Sequence, residues 1–306
     1  MIKSNINYPA LTGIRAIAAF MVYIHHFNPF DKVAFGNPIS SFFAEFHVGV
    51  TIFFVLSGFL IANRYYNESE FNFKEYLLKR FARIFPMYFL LTTATFLFFA
   101  IFQTESLFEL LKKYLLNITF LRGFFDDLKF SGIAQGWSLT VEECFYFLAP
   151  LFFILVKKNK ILLLLIPIIT ISIGFLLVNI FQSSNNLGLM HSNNFMIDFT
   201  IFGRVSEFIV GLALSIFINE YNFKLKYITH LGVFLVLIFI YLLSIINPLN
   251  GYGTELVFGK IINNLLLPLF GISLLFYGLI TEKTFLSKIL SSSFFQLLGK
   301  SSYVFI

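Results

Sequence analysis

The sequence predicts an all-α protein whose helices form a polytopic transmembrane bundle. Of its 306 residues, 58% are hydrophobic and 12% are charged, which is roughly half the charged fraction of a typical soluble domain. The mean hydropathy is +0.83. Four long stretches contain no Asp, Glu, Lys or Arg, as expected of segments that cross hydrocarbon. These stretches are residues 84–104, 161–190, 227–254 and 261–281.

Four further apolar segments are predicted to cross the membrane, although each carries isolated ionisable residues. They lie at about 10–30, 46–66, 137–156 and 199–218. A ninth apolar run begins near Phe294 and contains Lys300, but it offers only 13 residues before the sequence stops at Ile306. A span needs about 20 residues. The sequence therefore predicts eight complete spans and a truncated ninth, all within a single membrane domain of residues 1–306.

The 22 Lys and Arg residues are distributed unevenly among the loops. If the N-terminus lies in the cytoplasm, 13 of them fall in cytoplasmic loops, 5 in outside loops, and 4 in or beside the spans. Cytoplasmic loops of membrane proteins are rich in Lys and Arg, so we predict this orientation. The outside residues would be Lys32, Lys112, Lys113, Arg122 and Lys129.

The charge distribution and the cysteine content exclude several kinds of partner and of site. The net charge of +6 is scattered over short loops between apolar spans, so it is interpreted as membrane anchoring, and a lipid bilayer rather than a nucleic acid is the expected partner. The single cysteine, Cys144, rules out an intramolecular disulfide and a cysteine-based metal cluster. No metal-ligand pattern occurs in the sequence, and no metal site is predicted.

The longest outside connection runs from Gln103 to Gly136. It is too long for a simple turn and contains an amphipathic stretch around Leu107–Phe125. Such a stretch is expected either to lie on the membrane surface or to re-enter the membrane.

The first predicted span carries Arg15 near one end and the pair His25–His26 near the other. Eleven positions separate Arg15 from His26, which on a helix is about 20° beyond three turns and about 16 Å along the axis. Both side chains therefore project from one face, whereas His25 points about 80° away. A polar stripe on an apolar helix favours a lined cavity. The alternative is that Arg15 extends to lipid headgroups and the histidines lie at the interface.

The remaining histidines, His47, His191 and His230, are interpreted as structural, because each lies at a loop or helix end without an acidic neighbour. The small residues Gly49 and Gly58 of the second span are interpreted as packing positions that let membrane helices approach closely.

Two pairs of charged residues border the spans. Arg80 and Arg83 are three residues apart, so they are neighbours on a helix and could bind one phosphate group; the alternative is ordinary cytoplasmic anchoring. Glu142 and Glu143 stand at the start of the fourth predicted span. One of these carboxylates is expected to pair with a histidine or arginine in a cavity, the alternative being that both lie at the interface.

Taken in order, these segments resemble the acyltransferase 3 family of bacterial integral-membrane acyltransferases. The resemblance covers nearly the whole chain. Thr51 stands where the family often has Asp after Gly-Val, and the sequence stops inside a helix that the family completes. The matching motifs are Leu11-Thr-Gly-Ile-Arg15 through His26, Phe53-Phe-Val-Leu-Ser-Gly-Phe59, Arg80-x-x-Arg83-Ile-x-Pro86-x-Tyr88, Trp137-Ser-Leu-Thr-Val-Glu142-Glu143, Arg204-x-x-Glu207-Phe-x-x-Gly211 and Leu298-Gly-Lys-Ser-Ser-Tyr303.

The resemblance implies an enzyme of the bacterial inner membrane that moves an acyl group, commonly acetyl, from acyl-CoA to a hydroxyl of a surface carbohydrate or lipid-linked acceptor. Acetyl-CoA would be a donor substrate, and no permanently bound cofactor is implied. Arg80 and Arg83 would hold the coenzyme phosphates, and the pantetheine arm would pass Arg15. His26 would act as general base or accept the acyl group transiently, and Glu142 would orient or charge-balance its imidazole.

A rival interpretation is a transporter or flippase of glycan or lipid intermediates, since ionisable residues within spans serve those proteins equally well. Transporters often show paired repeats with interrupted helices, and the sequence shows no such duplication. A catalytically inactive scaffold subunit is the third interpretation.

Overall fold

The computed structural model describes residues 8–30, 36–68, 71–102, 106–184, 186–221, 225–246 and 251–302. Within these ranges the secondary structure is helical, apart from an isolated bridge between Phe125 and Leu189. Four 3₁₀ turns occur, at Glu45–His47, Leu121–Phe124, Asp126–Leu128 and Gly253–Glu255. The longer helices, in chain order, are α1 (Pro9–His26), α2 (Asn37–Ala44), α3 (Val48–Tyr65), α4 (Phe73–Ile101), α5 (Leu107–Ile118), α6 (Gly136–Lys158), α7 (Leu162–Phe181), α8 (Asn193–Phe199), α9 (Ile201–Glu220), α10 (Ile228–Ile246), α11 (Val257–Ile261), a π-helix (Ile262–Ile272), α12 (Ser273–Thr281), α13 (Phe285–Leu290) and α14 (Ser293–Ser301).

Seven helical segments of the described ranges are long and apolar enough to cross a membrane, which confirms the polytopic all-α class. The predicted number of eight is not confirmed. The difference is the first predicted span, which is α1: it has 18 residues, and Arg15, His25 and His26 lower its hydropathy. The seven segments are Asn37–Tyr65, Phe73–Ile101, Gly136–Lys158, Leu162–Phe181, Asn193–Glu220, Ile228–Ile246 and Val257–Thr281.

Contacts within the chain group it into two compact units. Unit 1 comprises Met1–Asn67 and Ser206–Phe305, and unit 2 comprises Glu68–Val205. The single-domain organisation of residues 1–306 stays a prediction. Of the expected ninth run, α14 lies within the described part of the chain, and residues 303–306 lie outside it.

Unit 1 is held together where helix backbones approach closely at glycines. A Cβ on Gly49 would overlap the carbonyl of Ala18 in α1, and a Cβ on Gly58 would overlap the carbonyl of Phe208 in α9. Any larger side chain at these positions would push the helices apart. The structure therefore confirms the predicted packing role of both glycines, and it fixes α1 and α9 against α3.

The long connection after α4 runs back alongside that helix in unit 2. The Thr93 hydroxyl lies 2.9 Å from the Tyr114 hydroxyl, and the Tyr88 hydroxyl donates to the Asn117 carbonyl at 3.1 Å. As α5 advances from Tyr114 to Asn117, its partner on α4 moves backward, so the two helices are antiparallel. Tyr88 lies 13 residues before Ile101, or about 20 Å along a helix. The structure thus shows that α5 packs along α4, and whether the segment re-enters the membrane stays a prediction.

The tip of this segment is fastened by Arg122, which is fully buried. Its guanidinium donates to Asn117 Oδ1 at 2.9 Å, to the Ile133 carbonyl at 2.6 Å and to the Ser131 carbonyl. The sequence counts Arg122 among the outside-loop cations, which stays a prediction, and it does not predict that the side chain is buried. Its guanidinium thus supplies donors to two backbone carbonyls and one side-chain amide oxygen of this loop.

We predict that Arg122→Ala lowers the free energy of unfolding by about 3 kcal/mol, because buried acceptors lose a charged donor. Arg122→Lys should recover little of this loss, since one ammonium group cannot reproduce the planar fork. Denaturant unfolding of purified protein in detergent measures both, with Lys112→Ala, an exposed cation on α5, as the matched control. An Arg122→Lys variant as stable as the wild type would contradict this account of the loop.

Candidate functional site

The predicted site residues fall in both units. Arg15 and His26 belong to α1 in unit 1, whereas Arg80, Arg83 and Glu142 belong to α4 and α6 in unit 2. The proposed contact between Glu142 and the imidazole of His26 therefore stays a prediction, and each group is described by itself.

In unit 1, Arg15 and His26 lie on one uninterrupted helix. Pro9 starts α1 at a position where a missing N–H costs nothing, and the helix continues to His26, where the Phe27 amide closes the last turn on the Tyr23 carbonyl at 2.9 Å. The helix is therefore continuous from Arg15 to His26, as the prediction that both side chains share one face requires. Arg15 is half-buried and His26 is exposed, so the imidazole of His26 is the accessible one.

His25 lies deeper and is fixed by its surroundings. Its Nδ1 is 2.6 Å from the carbonyl oxygen of Ala44. Because a carbonyl only accepts, Nδ1 carries the proton, and in the neutral ring the lone pair is on Nε2. Ring contacts hold the imidazole from three sides, at centroid distances of 5.0 Å to His26, 5.4 Å to His47 and 5.2 Å to Tyr252.

Behind His25 stands a buried acid–histidine pair. Glu45 is 0% exposed; its Oε2 lies 3.0 Å from His47 Nε2, and its Oε1 accepts from the Gly253 amide at 2.8 Å. Only glycine fits at position 253, because a Cβ there would overlap the Leu243 carbonyl. The 3₁₀ turn Gly253–Glu255 therefore packs closely against α10. In this position its Gly253 amide can donate to the Glu45 carboxylate.

The expectation that His47 lacks an acidic neighbour is wrong. Glu45 precedes it by two residues, and on an α-helix that spacing places side chains on different faces. The chain instead forms a 3₁₀ turn at Glu45–His47, and there the two side chains meet. The signal in the sequence was Glu45 itself, an acid at the start of a membrane segment.

Tyr252 closes this histidine cluster, which we define as His25, His26, Glu45, His47 and Tyr252. Its ring contacts His25 and, at 5.9 Å, also His47. Burial raises the pKa of the Tyr252 hydroxyl, and the carboxylates of Glu45 and Glu255 raise it further. The hydroxyl therefore stays protonated at neutral pH, and Tyr252 adds no charge beside the imidazoles.

In unit 2, Arg80 and Glu142 are joined through Tyr146. The Arg80 guanidinium lies over the Tyr146 ring, 5.9 Å from its centroid, and the Tyr146 hydroxyl donates to Glu142. Tyr76 holds the same residue by donating to its backbone carbonyl at 3.0 Å. Arg83, one turn along α4, is exposed. Tyr146 was not predicted to have a role; it lies three residues after the Trp137–Glu143 motif.

A cavity of about 1060 Å³ lies within the same unit. Its walls are mostly apolar, and Thr140, Glu143 and Cys144 supply polar atoms from α6. Thr140 Oγ1 and Glu143 Oε1 are buried and find no hydrogen-bond partner among the described residues. A cavity of this kind suits a mainly apolar ligand that carries a few hydrogen-bond donors. In the described ranges no group of three or more His, Cys, Asp or Glu side chains is arranged to hold a metal ion.

The model of a family described as an acyltransferase domain, acyltransferase 3, matches residues 8–305. The chain belongs to the acyltransferase 3 family. This confirms the resemblance drawn from the motifs. The matched residues include α1 with its histidines and also α4 and α6 with Arg80, Arg83 and Glu142, so both groups of candidate residues lie within the acyltransferase domain.

Curated relatives carry related names. The O-acetyltransferase OatA of Staphylococcus aureus is 24% identical over 218 residues, which are 66% of this chain and 34% of that protein. The peptidoglycan O-acetyltransferase OatA of Listeria monocytogenes is 29% identical over 174 residues, 51% of this chain and 26% of that protein. The acyltransferase 3 chain thus spans about a third or less of the length of these relatives. No solved structure gives a significant match.

Proposed function

We propose that this chain is a membrane-bound O-acyltransferase that moves an acetyl group from acetyl-CoA to a hydroxyl of a cell-surface carbohydrate or a lipid-linked precursor. Membership of the acyltransferase 3 family supports the reaction class. The relatives named O-acetyltransferases, one of them of peptidoglycan, support an acetyl group and a glycan acceptor.

The observation that carries the proposal is the exposed imidazole of His26 at the end of α1, beside a second imidazole whose ring is fixed. A general base needs a neutral imidazole within reach of the acceptor hydroxyl. His26 takes the hydroxyl proton as the oxygen attacks the thioester carbonyl, and the coenzyme leaves as its thiol after receiving a proton. Transient acylation of His26 is the second route open to the same side chain.

The donor would be held in unit 2. Arg80 and Arg83 present two guanidinium groups one helical turn apart, which suits the phosphates of a coenzyme. The Tyr146 ring beneath Arg80 limits the positions that its guanidinium can take. We also propose, from the family resemblance, that the donor binds from the cytoplasm and the acceptor lies outside the bacterial inner membrane. The cytoplasmic N-terminus is proposed from the distribution of Lys and Arg.

Reconstituted protein tests the function directly. Proteoliposomes supplied with radiolabelled acetyl-CoA and extracted surface glycan should form acetylated glycan, and the label should be released by mild base as expected of an ester. Movement of unmodified glycan or lipid across the bilayer, without acetylation, would instead support a transporter or flippase. A protein that does neither would fit a scaffold subunit.

We predict that replacing Arg80 and Arg83 together with Lys weakens donor binding, because charge is kept and the bidentate fork is lost. The KM for acetyl-CoA should rise by about tenfold or more, the equivalent of one charge-assisted hydrogen bond. Reporter fusions should still place the N-terminus in the cytoplasm. Arg64→Lys, an exposed arginine outside this motif, is the matched control. Unchanged donor KM in correctly inserted protein would count against the assignment.

The second prediction separates the adjacent histidines. His26→Ala should lower the rate of acetyl transfer by about 10²–10⁴-fold, the usual contribution of a general base, while insertion and donor binding survive. His25→Ala should retain at least about a tenth of the activity, because its ring contacts protein. Variants matched for folded amount are compared at saturating donor. If His25→Ala were the inactive variant, the catalytic assignment would be wrong.

A further inference from the structure

A buried carboxylate and its partners stand beside the imidazoles and have no part in the steps above. Glu45 accepts hydrogen bonds from His47 Nε2 on one oxygen and from the Gly253 amide on the other. An ionised carboxylate only accepts, so Nε2 of His47 must be the donor. The side chains of Glu45 and His47 are 0% and 20% exposed. This pair is therefore largely buried, and its geometry is set by two elements, the 3₁₀ turns Glu45–His47 and Gly253–Glu255.

A gain in the stability of the fold is a weak explanation for a buried pair of this kind. Removing charges from water is costly, and well-packed apolar residues of similar volume often serve a fold as well or better. A buried pair does constrain orientation, because any rotation leaves a charge without its hydrogen bonds. The pair thus provides a rigid surface, and what packs on that surface is His25.

The same short turn contacts His25 twice. The Ala44 carbonyl accepts from His25 Nδ1 at 2.6 Å, and the His47 ring packs against the His25 ring at 5.4 Å. Ala44 directly precedes Glu45, so the backbone that fixes the tautomer and the ring that fixes the plane belong to one turn. Tyr252, next to the Gly253 that serves Glu45, holds His25 from another side. The His25 ring in turn contacts His26 at 5.0 Å.

We infer that Glu45 and His47 are positioning residues for acyl transfer, and that they act through the ring of His25 on the imidazole of His26. The inference rests on the proposed function. Glu45 holds His47, His47 and the Ala44 carbonyl hold His25, and His25 limits the rotation of His26. Neither Glu45 nor His47 is required to touch the substrate or to take up the transferred proton.

A double-mutant cycle tests the path of this effect. Glu45→Gln keeps the size and one acceptor but cannot accept from both donors, and it should lower kcat by roughly 5- to 10-fold, as loss of a group that orients an imidazole does. The KM for acetyl-CoA should not change. His25→Ala should give a similar loss, and the double variant should be no slower than either single within about twofold, because both act through one ring.

The control is Glu220→Gln, the same chemical change on an exposed carboxylate at the end of α9, outside the histidine cluster. It should leave kcat unchanged. If Glu45→Gln does not fold, Glu45→Met combined with His47→Leu removes both polar groups together and takes its place in the cycle. A loss that multiplies with that of His25→Ala, or no loss at all, overturns the inference.

A measurement independent of turnover separates this inference from the proposed function. The chain has five histidines, so ¹⁵N-histidine NMR in nanodiscs, assigned through His25→Ala, can report each ring. In the wild type at neutral pH, His25 should show a protonated Nδ1 and an unprotonated Nε2, and Glu45→Gln should mix the two tautomers. If the wild type transfers no acetyl group, the proposed function fails and the inferred role in catalysis with it, while the tautomer still decides whether Glu45 positions His25. An unchanged His25 signal in the variant would overturn that positioning.

Discussion

Hydrocarbon offers no water to a buried polar group, so such a group is stabilised where the chain itself supplies its hydrogen bonds. This constraint explains where the charged residues of both units lie. Arg122 can be fully buried because three acceptors surround its guanidinium. Glu45 can be fully buried because His47 and the Gly253 amide each donate to it. In both places the polar contacts fix an irregular piece of backbone, whereas the close approach of α1 and α9 to α3 depends on Gly49 and Gly58.

The same constraint explains how much of the fold the sequence predicts. Charge-free runs predict helices because only a backbone whose hydrogen bonds are satisfied within the chain can cross hydrocarbon. The run at residues 161–190 did predict α7. Hydropathy, however, predicts which residues lie in hydrocarbon and not where a helix begins or ends. The helix α4 begins at Phe73, well before the predicted residue 84, because Lys79, Arg80 and Arg83 continue it beyond the apolar run. Conversely, α7 ends at Phe181 because the stretch that follows is polar, although it carries no charge.

The candidate site was predictable to the extent that it depends on one helix. The shared face of Arg15 and His26 follows from spacing, and the uninterrupted α1 supports it. The pair Glu45–His47 was not predictable, because an α-helical spacing rule argues against a contact between residues two apart and because Gly253 lies 208 residues away from Glu45. Tyr146 was missed for a similar reason, since its guanidinium partner Arg80 is on another helix.

Thr51 shows how a departure from the family pattern can be accommodated under this constraint. Its hydroxyl donates to Asn263 Oδ1 at 3.3 Å, and the Asn263 amide donates to Asn264 Oδ1 at 2.7 Å, inside the π-helix. All three residues are buried, and an uncharged chain of hydrogen bonds there avoids the desolvation cost of a carboxylate. Where the family often places an acid at this position, unit 1 has a buried carboxylate six residues earlier, at Glu45, within the histidine cluster. Thr51 therefore makes its contacts within an uncharged chain of hydrogen bonds, and the carboxylate that lies against the histidines of the proposed reaction is that of Glu45.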